Sequence, residues 1–89
     1  MKTFKNRVFE VTKKIRKGET LSYKEVAWRA GNRKAARAVG TILKTNFNPE
    51  IPCHRVIRSD GSLGGYNRGV KKKELLLKAE NPHLYELVV

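Results

Sequence analysis

One short stretch of the chain reads Ser22-Tyr23-Lys24-Glu25-Val26-Ala27-Trp28-Arg29-Ala30-Gly31-Asn32. Ser22 and Glu25 match a capping box, in which each side chain bonds to a free backbone amide at the start of a helix. Gly31 suits the left-handed conformation that ends many helices, and Asn32 is able to cap the helix that follows. The stretch therefore predicts a short helix and a tight turn into another helix over roughly residues 33–44.

A longer amphipathic helix is predicted before this stretch. Its apolar residues recur at three- and four-residue spacings, and they are Phe4, Val8, Val11 and Ile15. This spacing places them on one face of a helix from Phe4 to about Lys17, which Gly18 ends. The two later helices and their tight turn have the arrangement of a helix-turn-helix, in which the last helix can enter a DNA groove.

A short strand and a turn are predicted after the third helix. Residues 47–50 contain a proline and break the helix, and the Val56-Ile57-Arg58 run is typical of a strand. A turn is predicted at residues 59–61 because Ser, Asp and Gly favour turns. We therefore predict a mostly α fold, a small single domain over residues 1–89, with a winged helix-turn-helix-like architecture and a short β-hairpin as its wing.

One more helix is predicted near the end of the chain, from Val70 to about Ala79. We expect Leu75 and Leu76 to be its buried positions, with the three lysines at residues 71–73 on its outer face. The apolar tail at residues 85–89 is expected to pack back as a short strand.

The composition indicates a folded protein with a polyanionic partner. Twenty Lys and Arg residues stand against eight Asp and Glu residues, which gives the 89-residue chain a net charge of +12. Hydrophobic residues make up 39% and fall in periodic positions, which argues against disorder. The single cysteine excludes an internal disulfide, and no apolar run reaches the length of a membrane span. We expect a cytoplasmic, nucleoid-associated monomer.

The positive charge is concentrated around the predicted third helix. No acidic residue occurs between Val26 and Pro49, where the basic residues are Arg29, Arg33, Lys34, Arg37 and Lys44. Small residues surround one of them, Arg37, and would let this helix approach a backbone closely; they are Ala35, Ala36, Ala38 and Gly40. The segment predicts a nucleic-acid contact surface. The plainer alternatives are a solvated charged face and the high helix propensity of Ala.

The only cysteine lies in the run Ile51-Pro52-Cys53-His54-Arg55-Val56-Ile57. Pro52 fixes the backbone before Cys53, so the thiol is presented from a constrained turn. Imidazole and guanidinium neighbours favour the thiolate, which is the nucleophilic form of cysteine. A lone cysteine is also commonly an inert buried residue, so the residues alone leave both interpretations open.

Four features occur in a fixed order along the chain: Ser22-Tyr23, Ala36-Arg37-Ala38-Val39-Gly40, Pro52-Cys53-His54-Arg55-Val56, and Gly61 followed by Gly64-Gly65-Tyr66. This order resembles the DNA-binding and active-site domain of the O6-alkylguanine-DNA alkyltransferases, from Phe4 to about Glu80. The resemblance implies that Cys53 accepts an alkyl group from damaged guanine in a single turnover. It further implies that His54 relays the thiol proton through a water and that Glu80 orients His54.

The resemblance also assigns the DNA contacts and the substrate pocket. Arg37 would fill the gap left by the extruded nucleotide, and Tyr23 would push on the neighbouring phosphate. Tyr66 would donate a hydrogen bond to the guanine ring. The remaining DNA-contacting residues would be Arg33, Lys34, Ala36 and Ala38, and the remaining pocket residues Pro52, Val56, Gly64, Gly65 and Asn67. Asn46 would be the hinge before Cys53, although its spacing is one residue short and Asn48 is a rival.

Longer members of the family carry an additional N-terminal domain, which we expect to be absent here. No metal and no cofactor are implied; the partner is double-stranded DNA containing O6-alkylguanine. The alternative is an alkyltransferase-like sensor that binds the lesion without transfer, although such proteins typically replace the cysteine. A sequence-specific helix-turn-helix regulator is a weaker alternative, because a helix with so many small residues has few side chains to read base edges.

Overall fold

The computed structural model describes residues 2–82, which form four helices and two short strands. The helices are α1 (Phe4–Lys13), α2 (Tyr23–Arg29), α3 (Ala36–Lys44) and α4 (Val70–Glu80), and the strands are β1 (Leu21–Ser22) and β2 (Val56–Ile57). A 3-10 turn, Cys53–Arg55, directly precedes β2. The predicted mostly α architecture is confirmed.

Helix α1 packs against α2 and α3, but it ends at Lys13 rather than near Lys17. After Lys13 the backbone makes a tighter turn than an α-helix. Lys14 N–H bonds to Val11 O and Ile15 N–H to Thr12 O, which are three residues back rather than four. This tight turn brings Ile15 into the core, where it is 5% exposed. The other core residues are Val8, Val26, Ala27, Ala30, Val39, Leu43, Cys53 and Val56.

The predicted capping box is present at the start of α2. The Ser22 hydroxyl accepts a hydrogen bond from Glu25 N–H at 3.0 Å, and the Glu25 carboxylate accepts one from Ser22 N–H at 3.5 Å. Gly31, at φ 102°, turns the chain after α2 as predicted. Helix α3 buries Val39 and Leu43 against the rest of the core.

The predicted start of α3 at Arg33 is wrong, and so is the prediction that Asn32 caps it. The helix begins at Ala36, and its cap residue, Ala35, makes no side-chain capping bond. Asn32 instead closes a turn before the helix, because its side chain accepts from Lys34 N–H and its carbonyl from Ala35 N–H. Such local bonds from an asparagine side chain compete with helix formation.

The predicted β-hairpin wing is also wrong. Strands β1 and β2 pair in parallel, with Leu21 opposite Val56 and Ser22 opposite Ile57. A hairpin joins antiparallel neighbours, whereas these strands come from distant parts of the chain. The predicted turn at residues 59–61 does form, but Gly64, at φ 71°, directs the chain into an irregular loop instead of a return strand.

Helix α4 covers the predicted residues but buries a different face. Its buried residues are Lys73 and Leu77, which are one helical turn apart, whereas Leu75 is 57% exposed and Leu76 is half-buried. The prediction that all three lysines at residues 71–73 face outward is therefore wrong for Lys73. The buried face was predicted from the apolar residues of the helix. That criterion does not identify Lys73, whose burial depends on the oxygen acceptors around its ammonium. The predicted tail strand at residues 85–89 lies outside the described residues.

Two side chains hold the C-terminal end of α4 to the 3-10 turn. The Glu80 carboxylate accepts two hydrogen bonds from Arg55, at 2.9 and 2.7 Å, and lies 2.9 Å from His54 Nε2. Arg55 also donates to the Ile15 carbonyl at 2.8 Å, which ties the cluster to the segment after α1. The Arg55 hydrogen bonds, helped by His54, lower the pKa of Glu80 to about 2 against the opposing effect of burial.

We predict that Glu80→Gln destabilises the protein at neutral pH but has a smaller effect in acid. The folded pKa of Glu80 lies below the ordinary 4.5, so its contribution is present above pH 4.5 and is lost as the pH falls toward 2. At pH 7 the substitution should cost about 2 to 3 kcal/mol of unfolding free energy. Urea unfolding at neutral pH, pH 4 and pH 3 measures it.

Glu74→Gln is the matched control, since Glu74 lies on the same helix and pairs with exposed lysines. This variant should change stability much less, because exposed ion pairs contribute little. A cost of Glu80→Gln that stays constant from pH 7 to pH 3 would contradict the role of the ionised carboxylate.

Candidate active site and nucleic-acid interface

Cys53 opens the 3-10 turn and is presented by a tight bend at Pro52. The Cys53 N–H donates to the Ile51 carbonyl at 2.8 Å, and Pro52 adopts φ −79° and ψ 65°. These angles and this bond define an inverse γ-turn. Cys53 is 9% exposed, so its side chain belongs to the core on one side and reaches a cavity on the other.

A cavity of about 570 Å³ lies between the start of α2, α3 and the loop that precedes α4. Eight of the residues predicted to contact DNA, form the pocket or take part in transfer line it: Tyr23, Ala36, Arg37, Cys53, Gly64, Gly65, Tyr66 and Asn67. This volume is in the range of small-ligand sites in proteins. A second cavity, of about 280 Å³, also reaches Cys53 and Tyr66, and its lining includes His54 and Asn46.

The residues next to Cys53 form a linked chain of polar groups. The Glu80 carboxylate, with its pKa of about 2, is ionised at neutral pH and can only accept hydrogen bonds. His54 Nε2 therefore carries the proton toward Glu80, which leaves Nδ1 of a neutral ring as an acceptor. Tyr66 meets His54 edge to face, with ring centroids 6.4 Å apart. Arg55, which the sequence analysis did not select, completes this cluster through Glu80.

Tyr23 and the two glycines after Leu63 form one wall of the larger cavity. The Tyr23 hydroxyl donates to the Gly65 carbonyl at 3.4 Å. A Cβ at Gly64 would lie 2.9 Å from a Tyr23 ring carbon, so only glycine fits against this ring. Burial raises the pKa of Tyr23 and of Tyr66 above the usual 10, so both phenols are donors at neutral pH.

Sequence reasoning missed the side chain that holds this wall in place, Lys73. Its ammonium donates to the carbonyls of Val56 at 2.7 Å, Leu63 at 2.5 Å and Gly65 at 3.1 Å. It also lies 3.3 Å from the Tyr23 hydroxyl. Lys73 is one helical turn before the buried Leu77, and this spacing was the available signal that it faces inward.

Asn46 anchors the loop between α3 and Cys53. Its side chain is buried, donates to the Asn48 and Ile51 carbonyls, and accepts from Asn48 N–H. Asn48 is exposed, and its own side chain accepts from Glu50 N–H. The Asn67 side chain reaches across to the Asn46 carbonyl. Of the two rival asparagines, Asn46 is thus the one that spans the loop.

The basic residues around α3 form an exposed surface beside the cavity. This surface, the α3 face, comprises Arg33, Lys34, Arg37, Ala38 and Thr41, all of them exposed. Arg37 stands at the edge of the cavity, which it lines together with the half-buried Ala36. Because the segment from Val26 to Pro49 holds no acidic residue, this face is positive throughout.

Two residues expected in the pocket do not line the larger cavity. Pro52 and Val56 are both buried in the protein interior. The Val56 carbonyl accepts from Lys73, and its N–H bonds to the Cys53 carbonyl. Both backbone groups of Val56 are therefore occupied by the protein itself.

Comparison with known proteins identifies relatives over almost the whole chain. The family described as "6-O-methylguanine DNA methyltransferase, DNA binding domain" matches residues 3–82. Proteins named methylated-DNA--protein-cysteine methyltransferase are similar to the chain, at 47% identity in Kluyveromyces lactis and 48% in Methanothermobacter thermautotrophicus. These matches cover 86% and 91% of this chain but 41% and 46% of those proteins. The chain thus spans less than half the length of these two relatives.

Solved structures share the fold. The structure of Mycobacterium tuberculosis OGT in complex with DNA has a TM-score of 0.86 and 41% identity, over 92% of this chain and 52% of that one. S. pombe Atl1 in complex with damaged DNA containing O6-carboxymethylguanine has a TM-score of 0.77 and 29% identity, over 90% and 79% of the two chains.

No helix within residues 2–82 is long and apolar enough to cross a membrane. The helices and the cavity described above lie within the matched residues, and the Pro52-Cys53-His54-Arg55-Val56 run lies between the α3 face and α4. On the match over residues 3–82, the chain belongs to the family of 6-O-methylguanine DNA methyltransferase DNA-binding domains.

Proposed function

We propose that this chain repairs DNA by direct reversal, taking an alkyl group from O6-alkylguanine onto Cys53 in a single turnover. The observation that carries the proposal is the position of Cys53 in the wall of a 570 Å³ cavity that opens beside a positive helix face. The residue after Cys53 is His54, whose imidazole lies 2.9 Å from the Glu80 carboxylate. A cavity, a nucleophile and a polyanion-binding surface are thus combined in one small domain.

Binding to duplex DNA is the first step, and the α3 face supplies its positive charge. Lys and Arg side chains that contact phosphates release condensed counterions, so affinity should fall steeply with salt. Helix α3 carries small residues on either side of Arg37, which suits close contact with a narrow groove. Tyr23, at the start of α2, lines the same cavity and would contact a phosphate beside the lesion.

Extrusion of the damaged nucleotide is required next, because the O6 substituent of a stacked base cannot reach a protein thiol. Extrusion costs on the order of a few kcal/mol and less for a damaged pair. Arg37 is exposed at the cavity edge and would occupy the gap left in the duplex. Gly64 and Gly65 leave the cavity wall free of bulky side chains where the base would lie. Asn46 would act as the hinge of the loop that leads to Cys53.

Transfer is a displacement at the alkyl carbon. The Cys53 sulfur forms a bond to that carbon while the carbon–O6 bond breaks, and the thiol proton passes to His54 Nδ1 through a water. Glu80 keeps the His54 ring oriented for this task. Tyr66 donates a hydrogen bond to the departing guanine as negative charge develops on it, and the guanine finally takes up the proton. The thioether offers no easy reversal, so each molecule reacts once.

A lesion sensor that binds without transfer is the second candidate. The similarity to S. pombe Atl1, which was solved with DNA containing O6-carboxymethylguanine, is compatible with it. The presence of Cys53 beside the cavity favours transfer. The two functions differ in whether the lesion disappears from the DNA.

We predict that the wild type converts O6-methylguanine in duplex DNA to guanine, one lesion per protein molecule. Cys53→Ala should leave the lesion in place and bind the duplex within about threefold of wild type, since the charged surface is unchanged. Nucleoside analysis of the digested DNA measures the lesion, and a gel-shift titration measures binding. Persistence of the lesion with a folded, DNA-bound wild type would favour the sensor instead.

We predict that Arg37→Ala slows repair of duplex DNA by about tenfold or more but leaves reaction with free O6-benzylguanine within about twofold. Only the duplex leaves a gap to fill, which is the reason for the difference. Arg29→Ala is the matched control, because it removes one exposed charge from the same acid-free segment. Equal losses on duplex and free base would exclude the gap-filling role.

A further inference from the structure

Cys53 lies between two cavities that share little else. The larger cavity, of about 570 Å³, and the smaller one, of about 280 Å³, have only Cys53 and Tyr66 in common among the lining residues at positions 2–82. His54 lines the smaller cavity but does not line the larger one. Cys53 is therefore reached by one cavity beside the α3 face and by a separate cavity that contains its neighbouring imidazole.

The smaller cavity opens to solvent between the loop that precedes Cys53 and the start of α4. Its exposed lining residues are Asn48, Pro49, Arg68 and Lys72. Arg68 donates to the Phe47 carbonyl at 2.8 Å, which ties the two sides of this opening together. The five residues of the α3 face do not line the smaller cavity. His54 thus has a connection to solvent that does not pass through the larger cavity.

His54 is the proton acceptor of the smaller cavity at neutral pH. The charged and titratable groups around it are Lys72 and Glu80 from α4, Cys53 and Arg55 from the 3-10 turn, and Tyr66 and Arg68 from the loop before α4. Glu80 is bonded to Arg55, and burial raises the pKa of Tyr66, so that its phenol stays protonated. Lys72 and Arg68 are cations. Apart from the thiol, the lining side chain able to take up a proton is His54.

The size and lining of the smaller cavity suit water. A bulk water molecule occupies roughly 30 Å³, and an ordered one needs two to four polar partners. His54 Nε2 lies 2.9 Å from Glu80, so Nδ1 is the ring nitrogen left to accept a hydrogen bond from water. Cys53, Tyr66 and the buried Asn46 add polar groups to the same lining.

We propose that the smaller cavity is the proton channel of the reaction: its water carries the thiol proton from Cys53 to His54 Nδ1 and connects both groups to solvent. The S–H bond breaks, the proton passes to the water, and the water gives one of its protons to the imidazole. The inference rests on the proposed function in one respect, that Cys53 is the nucleophile. Lys72 and Leu76, which line the channel from α4, act through the water and are positioning residues.

Lys72→Trp tests the channel, because a bulky indole at this exposed lining position would displace water from the opening. The probe is iodoacetamide, which alkylates the only cysteine of the chain with loss of iodide and can approach through the larger cavity. At pH 7 the variant should react about tenfold more slowly, since a lost general base costs at least that much. Lys71→Trp is the matched control; Lys71 is exposed and lines neither cavity, and its variant should stay within about twofold of wild type.

The pH dependence separates a proton channel from a merely structural effect. At pH 10 hydroxide removes thiol protons without a general base, so Lys72→Trp and wild type should then differ by less than about twofold. A loss of rate that is equal at pH 7 and pH 10 would reflect poorer access of the reagent or altered packing, and would overturn the proposal.

Leu76→Phe covers the case in which the indole at position 72 turns toward solvent. Leu76 is half-buried one helical turn after Lys72 and lines the same cavity, so the larger ring should cause the same loss at pH 7. In a His54→Ala background neither substitution should slow alkylation further, because the base that the channel serves is absent. Unchanged rates at pH 7 in both folded variants, or a full additional loss without His54, would overturn the proposal. The assay contains no DNA, so its failure and that of the proposed function are separate results.

Discussion

The Glu80 carboxylate is the group on which the arrangement of this small domain depends. It receives two hydrogen bonds from Arg55 and one contact from His54, and Arg55 extends the link to the segment after α1. These bonds fix the last turn of α4 against the 3-10 turn that carries Cys53. The same carboxylate that holds the helix also fixes which nitrogen of His54 is free to accept a proton. In the proposed reaction, the ionised Glu80 would therefore serve both the stability of the domain and the orientation of His54.

The other end of α4 is held by a second buried charge, at Lys73. This lysine donates to the carbonyls of β2 and of the glycine-containing loop, and so holds one wall of the cavity to the helix. Helix α4 therefore carries one inward cation and one inward anion, two turns apart. An 89-residue chain has a modest apolar core. Buried hydrogen bonds and ion pairs such as these therefore hold elements together that apolar packing alone would hold in a larger domain.

Sequence motifs predicted those parts of the fold that depend on residues close together in the chain. The Ser22 and Glu25 capping box and Gly31 marked α2 correctly, because these motifs depend on residues within one or two turns. The start of α3 and the parallel pairing of β1 with β2 could not be predicted in this way. The start of α3 depends on the turn that Asn32 closes with its side chain and its carbonyl, and the strand pairing depends on contacts between distant segments. The order of motifs also selected about half of the cavity lining. It missed Lys73, which lies behind the lining and whose oxygen partners come from distant parts of the chain.

If Cys53 itself becomes the alkyl acceptor, as we propose, the transfer changes the mass of the protein. The wild-type chain, incubated with duplex DNA that carries one O6-methylguanine, should gain the mass of one CH2 group. A peptide map should place that gain on Cys53, with one equivalent per chain and no further increase at excess DNA. An unmodified Cys53 in protein that binds the lesion tightly would contradict transfer to this cysteine and leave a domain that recognises the damage without removing it.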